Sequence, residues 1–528
     1  MKRVWITLLL TLVLLGGRAA AWNGDGTVLV RELLPEGWIL EMDYLASPSE
    51  VQMFSAQLGT TIELVRNYVF LTPEGKFQVN FVVTETIEEA EALYGLFCSI
   101  HADGMVALNG RRVLEVVTEN PALVEVGRAF LKFVSEETES RSCPALKNYL
   151  EKNSWSIANL ADITLPLQSE LNDYHIFLVG ESHGVAVNQQ LESILLEFFV
   201  TQGGVRNYLL ELSPSVVGYL REYVETGNEA VLDRVFDSVK GTYFWTKENY
   251  EHWKNVRTLW ESLPEEEKFS LIGIDIEHQP ILALQYLESL LQEVDKNALS
   301  ETKLGQIGEV LRGELIIPNE QVGHFIQELL ESLAQDSVRL LLDTNHAEFE
   351  LVLSSLLDGI RLSAIQDPAL WNNGRDAVMY RNFLKQCDLT GLEKYFGQWG
   401  LNHVYQGAQR DVNWAAGLIN GEGTAYRGKV LSIAMIYQDS SFLQNHSYEV
   451  APLNTYLTGT NVLRELAGSD LLLVKLDNAG SPFNEQLIWK VRDVKPQRGA
   501  TVDYYQYILF VPGGEASSPL EANLAEAK

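Results

Sequence analysis

One five-residue segment holds the ingredients of proton-transfer chemistry: Gly180-Glu181-Ser182-His183-Gly184. A neutral imidazole takes a proton from water or a hydroxyl near neutral pH, and a carboxylate orients it and stabilises its charged form. Flanking glycines let the backbone approach a ligand closely. The same two side chains also suit a divalent metal or an iron porphyrin, and a Glu-x-His triplet does not choose between them. Two further acids, Glu211 and Asp275, stand where apolar runs end. Each has a plainer role open to it, capping the helix that follows. Arg375-Asp376 opens a later segment that contains Asn382, and His403 lies in Gly400-Leu401-Asn402-His403-Val404. Taken singly, His403 reads as structural and Arg375 as a surface ion-pair residue.

These groups can meet only if separate strands deliver them. From His175 the pattern alternates strand and helix. Ile176 to Val179 is a continuous apolar run, as in a strand buried on both faces. Val205 to Leu210 ends in Glu211, and Phe269 to Ile274 ends in Asp275; Lys429 to Met435 and Leu471 to Leu476 follow. The expected fold class is α/β, a mostly parallel sheet flanked by helices over residues 150–512. A wholly helical insertion over 288–367 is expected to cap one end. In such sheets ligands bind beyond the carboxyl ends of the strands, where Glu181, Glu211 and Asp275 would converge.

Ahead of this lies a stretch with a different rhythm. Strand, helix, strand, strand, helix, strand can be read from Trp38 to Thr118, with a Ser47-Pro48-Ser49-Glu50 helix start. A hairpin turns through Thr72-Pro73-Glu74-Gly75-Lys76. That order predicts a small α+β ferredoxin-like sandwich over 22–140. Pro121 to Phe133 would add a helix, and Ser135 to Ser142 would link the domains. The domain carries no catalytic constellation, and His101 reads as a solvated or capping group. An accessory role, contacting another protein, is the expectation.

The chain opens Met1-Lys2-Arg3, runs apolar from Val4 to Leu15 and reaches Ala19-Ala20-Ala21. This is the anatomy of a secretory signal peptide over 1–21. Export, cleavage before Trp22 and no stable membrane insertion afterwards are expected. A net charge of −31 argues against nucleic acid as a partner, because phosphates would be repelled. A small-molecule substrate is expected instead. Cys98, Cys143 and Cys387 lack metal-ligand spacing; Cys98 and Cys143 are able to pair, but the default reading is buried or incidental thiols. Residues 513–528, rich in Gly, Ser, Ala and Glu, are expected to be a disordered tail.

Taken together, these segments resemble a known group. Gly180-Glu181-Ser182-His183-Gly184 after a buried strand resembles the G-E-x-x-H-G signature of the erythromycin esterase-like superfamily. Leu210-Glu211-Leu212-Ser213 is similar to its E-M-S, and Ile272-Gly273-Ile274-Asp275 to its G-I-D. Arg375-Asp376 with Met379 and Asn382 resembles its R-D-x-x-M-x-x-N helix, and Asn402-His403 its later N-x-H or H-N-H strand; the order is kept from about His175 to Val511. The resemblance implies a hydrolase in which His183 activates water for attack on an ester or lactone. Glu181 and Glu211 would position it or the substrate, His403 would face it, and Arg375 would stabilise an oxyanion or carboxylate. Asp275 and Asn382 would serve the substrate. No cofactor is required by that reading. The Glu-to-His spacing is one residue shorter than in the esterases, as in the related haem-binding ChaN-like and Tiki metalloprotease branches. Haem or metal binding, or metal-dependent peptidase activity, therefore stay as alternatives for the same cleft.

Overall fold

The structure is a computed structural model that describes residues 39–72, 75–98, 105–109, 111–118, 123–124, 144–387, 393–408, 412–454, 460–484 and 500–520. The expectations for the leader 1–21, for His101 and for the link at 135–142 lie outside them. So does the added helix, apart from Leu123 and Val124. The chain divides into two compact units, residues 1–141 and 142–528.

In the first unit, β1 (Ile39–Leu45), β2 (Ile62–Thr72), β3 (Gly75–Thr84), β4 (Val106–Asn109) and β5 (Arg112–Val117) form one sheet, with helices Pro48–Leu58 and Ile87–Cys98. The first helix starts as its sequence demands: Ser47 Oγ accepts from the Glu50 amide, and Glu50 returns a carboxylate to the Ser47 amide at 2.7 Å. The strand order β1-β2-β3-β5-β4 corrects the ferredoxin-like expectation. That sandwich needs β1 beside and parallel to β3, whereas β1 pairs antiparallel with β2. The pairing is fastened by Arg66, which forks onto Asp43 at 2.7 and 2.8 Å. Element order is local information; partner choice is a long-range matter that the pattern of apolar residues left open.

Among the described residues the second unit is built on a sheet of eight strands: β6 (Ser154–Ile157), β7 (Ile176–Glu181), β8 (Asn207–Leu210), β9 (Ser270–Gly273), β10 (Tyr395–Gly400), β11 (Val430–Gln438), β14 (Leu471–Lys475) and β15 (Tyr507–Pro512). Their order is β6-β14-β15-β11-β7-β10-β8-β9. Two short strands, β12 (Ser440–Leu443) and β13 (Val450–Leu453), pair apart from it. The molecule is α/β with mixed sheets. Pairings from β15 across to β9 are parallel, but β14 is antiparallel to both β15 and β6. Five of the seven pairings in this sheet are thus parallel, and the two made by β14 are not.

β7 lies in the middle, and all six of its residues are buried. Its alternate side chains feed two cores. Phe177 and Val179 join the core containing helix Val187–Thr201, while Ile176 and Leu178 join the one containing Met379 and Phe383. Burying a chain of this kind on both sides contributes roughly 1.5–3 kcal/mol per large side chain, which fixes the strand rigidly. The region 288–367 contains no strand, and its Phe349, Val352 and Leu356 sit in the first of these cores. It is therefore packed onto the sheet's own core.

The expected disordered tail is also corrected over its first half. Residues 513–520 are placed, pairing at Ala516 with Val185 and at Pro519 with Thr246. Composition suggested a segment too poor in apolar groups to order itself; its order comes from main-chain hydrogen bonds to neighbours distant in sequence.

Candidate active site

Four adjacent parallel strands, β7, β10, β8 and β9, release the chain at one edge of the sheet. Glu181 ends β7 and His183 follows it, Glu211 follows β8, Asp275 and His278 follow β9, and His403 follows β10. The helix Pro368–Gln386 adds Arg375 and Asp376. The single-turn segment carrying His403 lies tight against β7: a methyl on Gly180 would sit 2.4 Å from Val404 Cγ2 and 3.1 Å from Leu401 Cα. Gly180 is required by that approach.

His183 is held by one nitrogen. Its Nδ1 lies 2.6 Å from Glu181 Oε1, and its ring stands beside Tyr243 with centroids 5.5 Å apart. Among the described residues Nε2 has no hydrogen-bond partner, and 41% of the side chain is open. Burial pulls its pKa down, but the hydrogen bond and charge of Glu181, with the charge of Glu211, outweigh this and the net shift is upward. Glu181 is 6% exposed, and its second oxygen, Oε2, is buried without a partner among the described residues.

Arg375 organises the opposite wall. Its Nε and Nη2 fork onto Asp275 at 2.9 and 2.6 Å; Nη2 also donates to Glu211 Oε1 at 2.8 Å, and Nη1 donates to His403 Nε2 at 2.8 Å. Four of the five N–H groups of the guanidinium are thus spent, leaving one on Nη1. The neighbouring carboxylates raise its pKa, outweighing burial. Burial also opposes ionisation of Glu211, yet the charges of His403, Arg375 and His183 bring its carboxyl down to about 2. Asp275 is lowered further by Arg375 and His278 against the same burial. Glu211 Oε2 accepts from the Gly400 amide at 2.5 Å. A methyl on Gly400 would lie 3.1 Å from His183 Nε2 and 3.4 Å from Glu211 Oε2, so the two faces of the cleft meet above this glycine.

His403 Nδ1 lies 2.9 Å from Asp376 Oδ1, which also accepts from the Ala415 amide at 2.6 Å. Asp376 therefore sets the Nδ1–H tautomer, leaving Nε2 to accept from Arg375. Burial lowers the His403 pKa, but Asp376 and Glu211 outweigh it and the ring is raised.

The structure thus brings Glu181, His183, Glu211, Asp275, Arg375 and His403 together. It separates Asn382 from them. That residue is fully buried and its amide donates to the Ile274 carbonyl at 3.0 Å, the Asp275 carbonyl at 3.3 Å and Ser355 Oγ at 2.9 Å. Asn382 props up the backbone behind Asp275 and has no surface to offer a substrate, which corrects its expected role. Three contributors were not anticipated. His278 Nε2 donates to Asp275 Oδ2 at 3.0 Å, Asp376 orients His403, and Gly400 keeps the cleft open. The Asp275-x-x-His278 spacing was the available signal for the first, and the adjacency of Asp376 to Arg375 for the second.

The site fits a divalent cation poorly. Arg375 already stands among the carboxylates that would have to ligate one, and among the described residues no group of three His, Cys, Asp or Glu is arranged to hold a metal.

No family model and no curated protein sequence matches the chain. Its fold is nevertheless that of solved proteins. A Bacillus cereus protein superposes with a TM-score of 0.53 at 16% identity, over 71% of this chain and 98% of its own. A succinoglycan biosynthesis protein does so at 0.53 and 11%, over 72% and 99%. An erythromycin esterase mutant in its open conformation matches at 0.50 and 15%, over 69% of this chain and 96% of the esterase. The likeness to erythromycin esterase-like proteins carried by the motifs therefore holds at the level of the fold.

Proposed function

We propose that the protein is a hydrolase that opens an ester or lactone by His-assisted attack of water. One observation carries this reading: His183 is tethered through Nδ1 to Glu181 while 41% of its side chain is open and Nε2 has no hydrogen-bond partner among the described residues. Water bound there gives a proton to Nε2 as its oxygen bonds to the acyl carbon. The tetrahedral oxyanion collapses, the carbon–oxygen bond breaks, and the imidazolium returns the proton to the departing alkoxide. Glu181 stabilises the charged ring in between. The remaining Nη1 N–H of Arg375 supplies a donor for the oxyanion, and Asp275, Glu211 and His403 hold that guanidinium in place. Purified protein should hydrolyse members of a panel of activated and macrocyclic esters. His183→Ala should lower kcat by about 10²–10⁴ in a protein that still folds; normal turnover by that variant removes His183 as the base.

The free Nε2 of His183 also favours a second reading, in which this residue would hold an iron porphyrin by supplying a nitrogen ligand. Absorbance with added haemin separates the two: a shifted Soret band lost in His183→Ala supports haem, and an unshifted band removes it. Export belongs to the same proposal, and mass spectrometry of the secreted protein should find Trp22 at its N-terminus. No helix among the described residues is long and apolar enough to cross a membrane.

A further inference from the structure

The backbone that presents His183 is held at both ends, by different means. Upstream, the Ser182 amide donates to Tyr437 Oη at 3.3 Å, and the Ser182 carbonyl accepts from Asn188 at 2.9 Å. Downstream the partners come from the last described stretch of the chain. The Ser517 amide donates to the Gly184 carbonyl at 2.8 Å, and the Ala186 amide donates to the Glu515 carbonyl at 2.9 Å. Gly184 has φ +84°, and a side chain there would meet the Leu443 carbonyl at 2.5 Å. The loop is therefore bent into a left-handed turn with nowhere to relax on the β12 side.

The second acceptor position of the Gly184 carbonyl is taken by the Leu443 amide at 2.9 Å, so β12 shares the task. Yet β12 leans on the same terminal segment. Ser440 Oγ accepts from the Gly514 amide at 2.9 Å, Ser441 Oγ from the Ala516 amide at 3.0 Å, and the Ser441 amide donates to the Gly514 carbonyl at 2.8 Å. Past the loop, the Lys247 amide donates to the Ser518 carbonyl at 2.9 Å, and Glu248 accepts from the Ser518 amide at 2.9 Å. This anchors the segment to the start of helix Lys247–Ser262, four residues after Tyr243, whose ring stands beside His183. Leu520 packs onto the large core.

We propose that residues 513–520 form a strap that positions His183: the end of the chain clamps Gly184 and Ala186 and thereby fixes the imidazole against Glu181 and the cleft. The inference rests on the hydrolase reading for its kinetic consequence and stands apart from it for its structural one. Residues 514–518 are positioning residues, since they reach the site only through main-chain bonds to the loop. A displaced base costs rate out of proportion to the shift, about 10²-fold for about 1 Å.

The test compares the full chain, a chain ended after Leu520 that keeps the strap, and a chain ended after Pro512 that lacks it. Ser440→Ala/Ser441→Ala loosens the strap without shortening the chain, should the truncated form fail to fold. Hydrogen exchange at the Ala186 amide is expected to quicken at least 10-fold in the strapless and double-substituted forms, while β7 amides stay protected. On an ester that the full chain hydrolyses, kcat is expected to fall about 10- to 100-fold with KM within about two-fold. A synthetic peptide of residues 513–520 added in trans should restore part of it. Unchanged exchange at Ala186 overturns the strap; quickened exchange with unchanged kcat overturns its positioning role. If the full chain hydrolyses no ester, the hydrolase reading fails by itself, and NMR titration of His183 decides the strap. Its midpoint should then fall toward the ordinary value when residues 513–520 are removed, and an unmoved midpoint overturns the proposal.

Discussion

Nε2 of His403 stands between a donor and an acceptor, 2.8 Å from Arg375 Nη1 and 3.3 Å from Glu211 Oε1. Neutral, the ring accepts from the guanidinium; protonated, it turns the same nitrogen toward the carboxylate. Asp376 holds Nδ1 in both states. The wall of the cleft facing His183 is thus one bonded assembly, in which a change at one member reaches the others.

Arg375→Ala leaves Asp275 buried without its main counter-charge and takes a second one, beside His403, from Glu211. Removing one partner of such a cluster costs about 3–5 kcal/mol, because the orphaned charges stay behind. Urea unfolding should show that loss. Arg375→Lys should recover only part of it, because an ammonium cannot fork onto Asp275 while also reaching Glu211 and His403.

The upward shift of His183 fixes the sign of the pH profile. A general base works when unprotonated, so kcat/KM should rise with pH through a midpoint above the ordinary 6.5. Glu181→Gln removes the charge and weakens the hydrogen bond that raise it, and the midpoint should move down. The stability linkage runs the other way. The pairing of charged His183 with Glu181 is fully present below the unfolded-state pKa and is lost as pH rises through the raised folded one. A profile in which Glu181→Gln moves the midpoint upward would contradict this assignment.

Glu211 predicts acid sensitivity. A carboxyl held at about 2 rather than 4.5 contributes about 3 kcal/mol that is present above pH 4.5 and lost as pH falls toward 2. Stability measured from pH 6 to pH 2.5 should decline less steeply in Glu211→Gln than in the parent, whatever the substitution does at neutral pH.

Gly400→Ala tests the cleft with a single methyl. The backbone there, φ −54° and ψ 134°, suits alanine. The added carbon would lie 3.1 Å from His183 Nε2, in the space assigned to the attacking water. A fall in kcat of about 10-fold or more with little change in thermal unfolding is expected; undiminished turnover would mean that the water sits elsewhere.

Short-range interactions are legible in the sequence and long-range ones are not. Ile176 to Val179 announced a strand because four consecutive apolar residues suit burial on both faces, and β7 is such a strand. The acids at 181, 211 and 275 could be placed at strand ends by the same local reasoning. Nothing local said that β10 would insert between β7 and β8, which is what puts His403 across from His183. Nor did the pattern separate Asn382, whose side chain is consumed by the backbone behind Asp275, from Arg375 seven residues earlier on the same helix.

The sequence by itself determined which residues could do chemistry and at which strand ends they would stand, because apolar runs and their terminating acids are properties of a few adjacent side chains. Tertiary structure alone decided which of those ends are neighbours and which acid Arg375 neutralises. It also decided that residues 513–520 lie along the loop of His183. Those outcomes depend on strand pairing and main-chain hydrogen bonds between segments hundreds of residues apart, and main-chain groups are the same in every residue but proline.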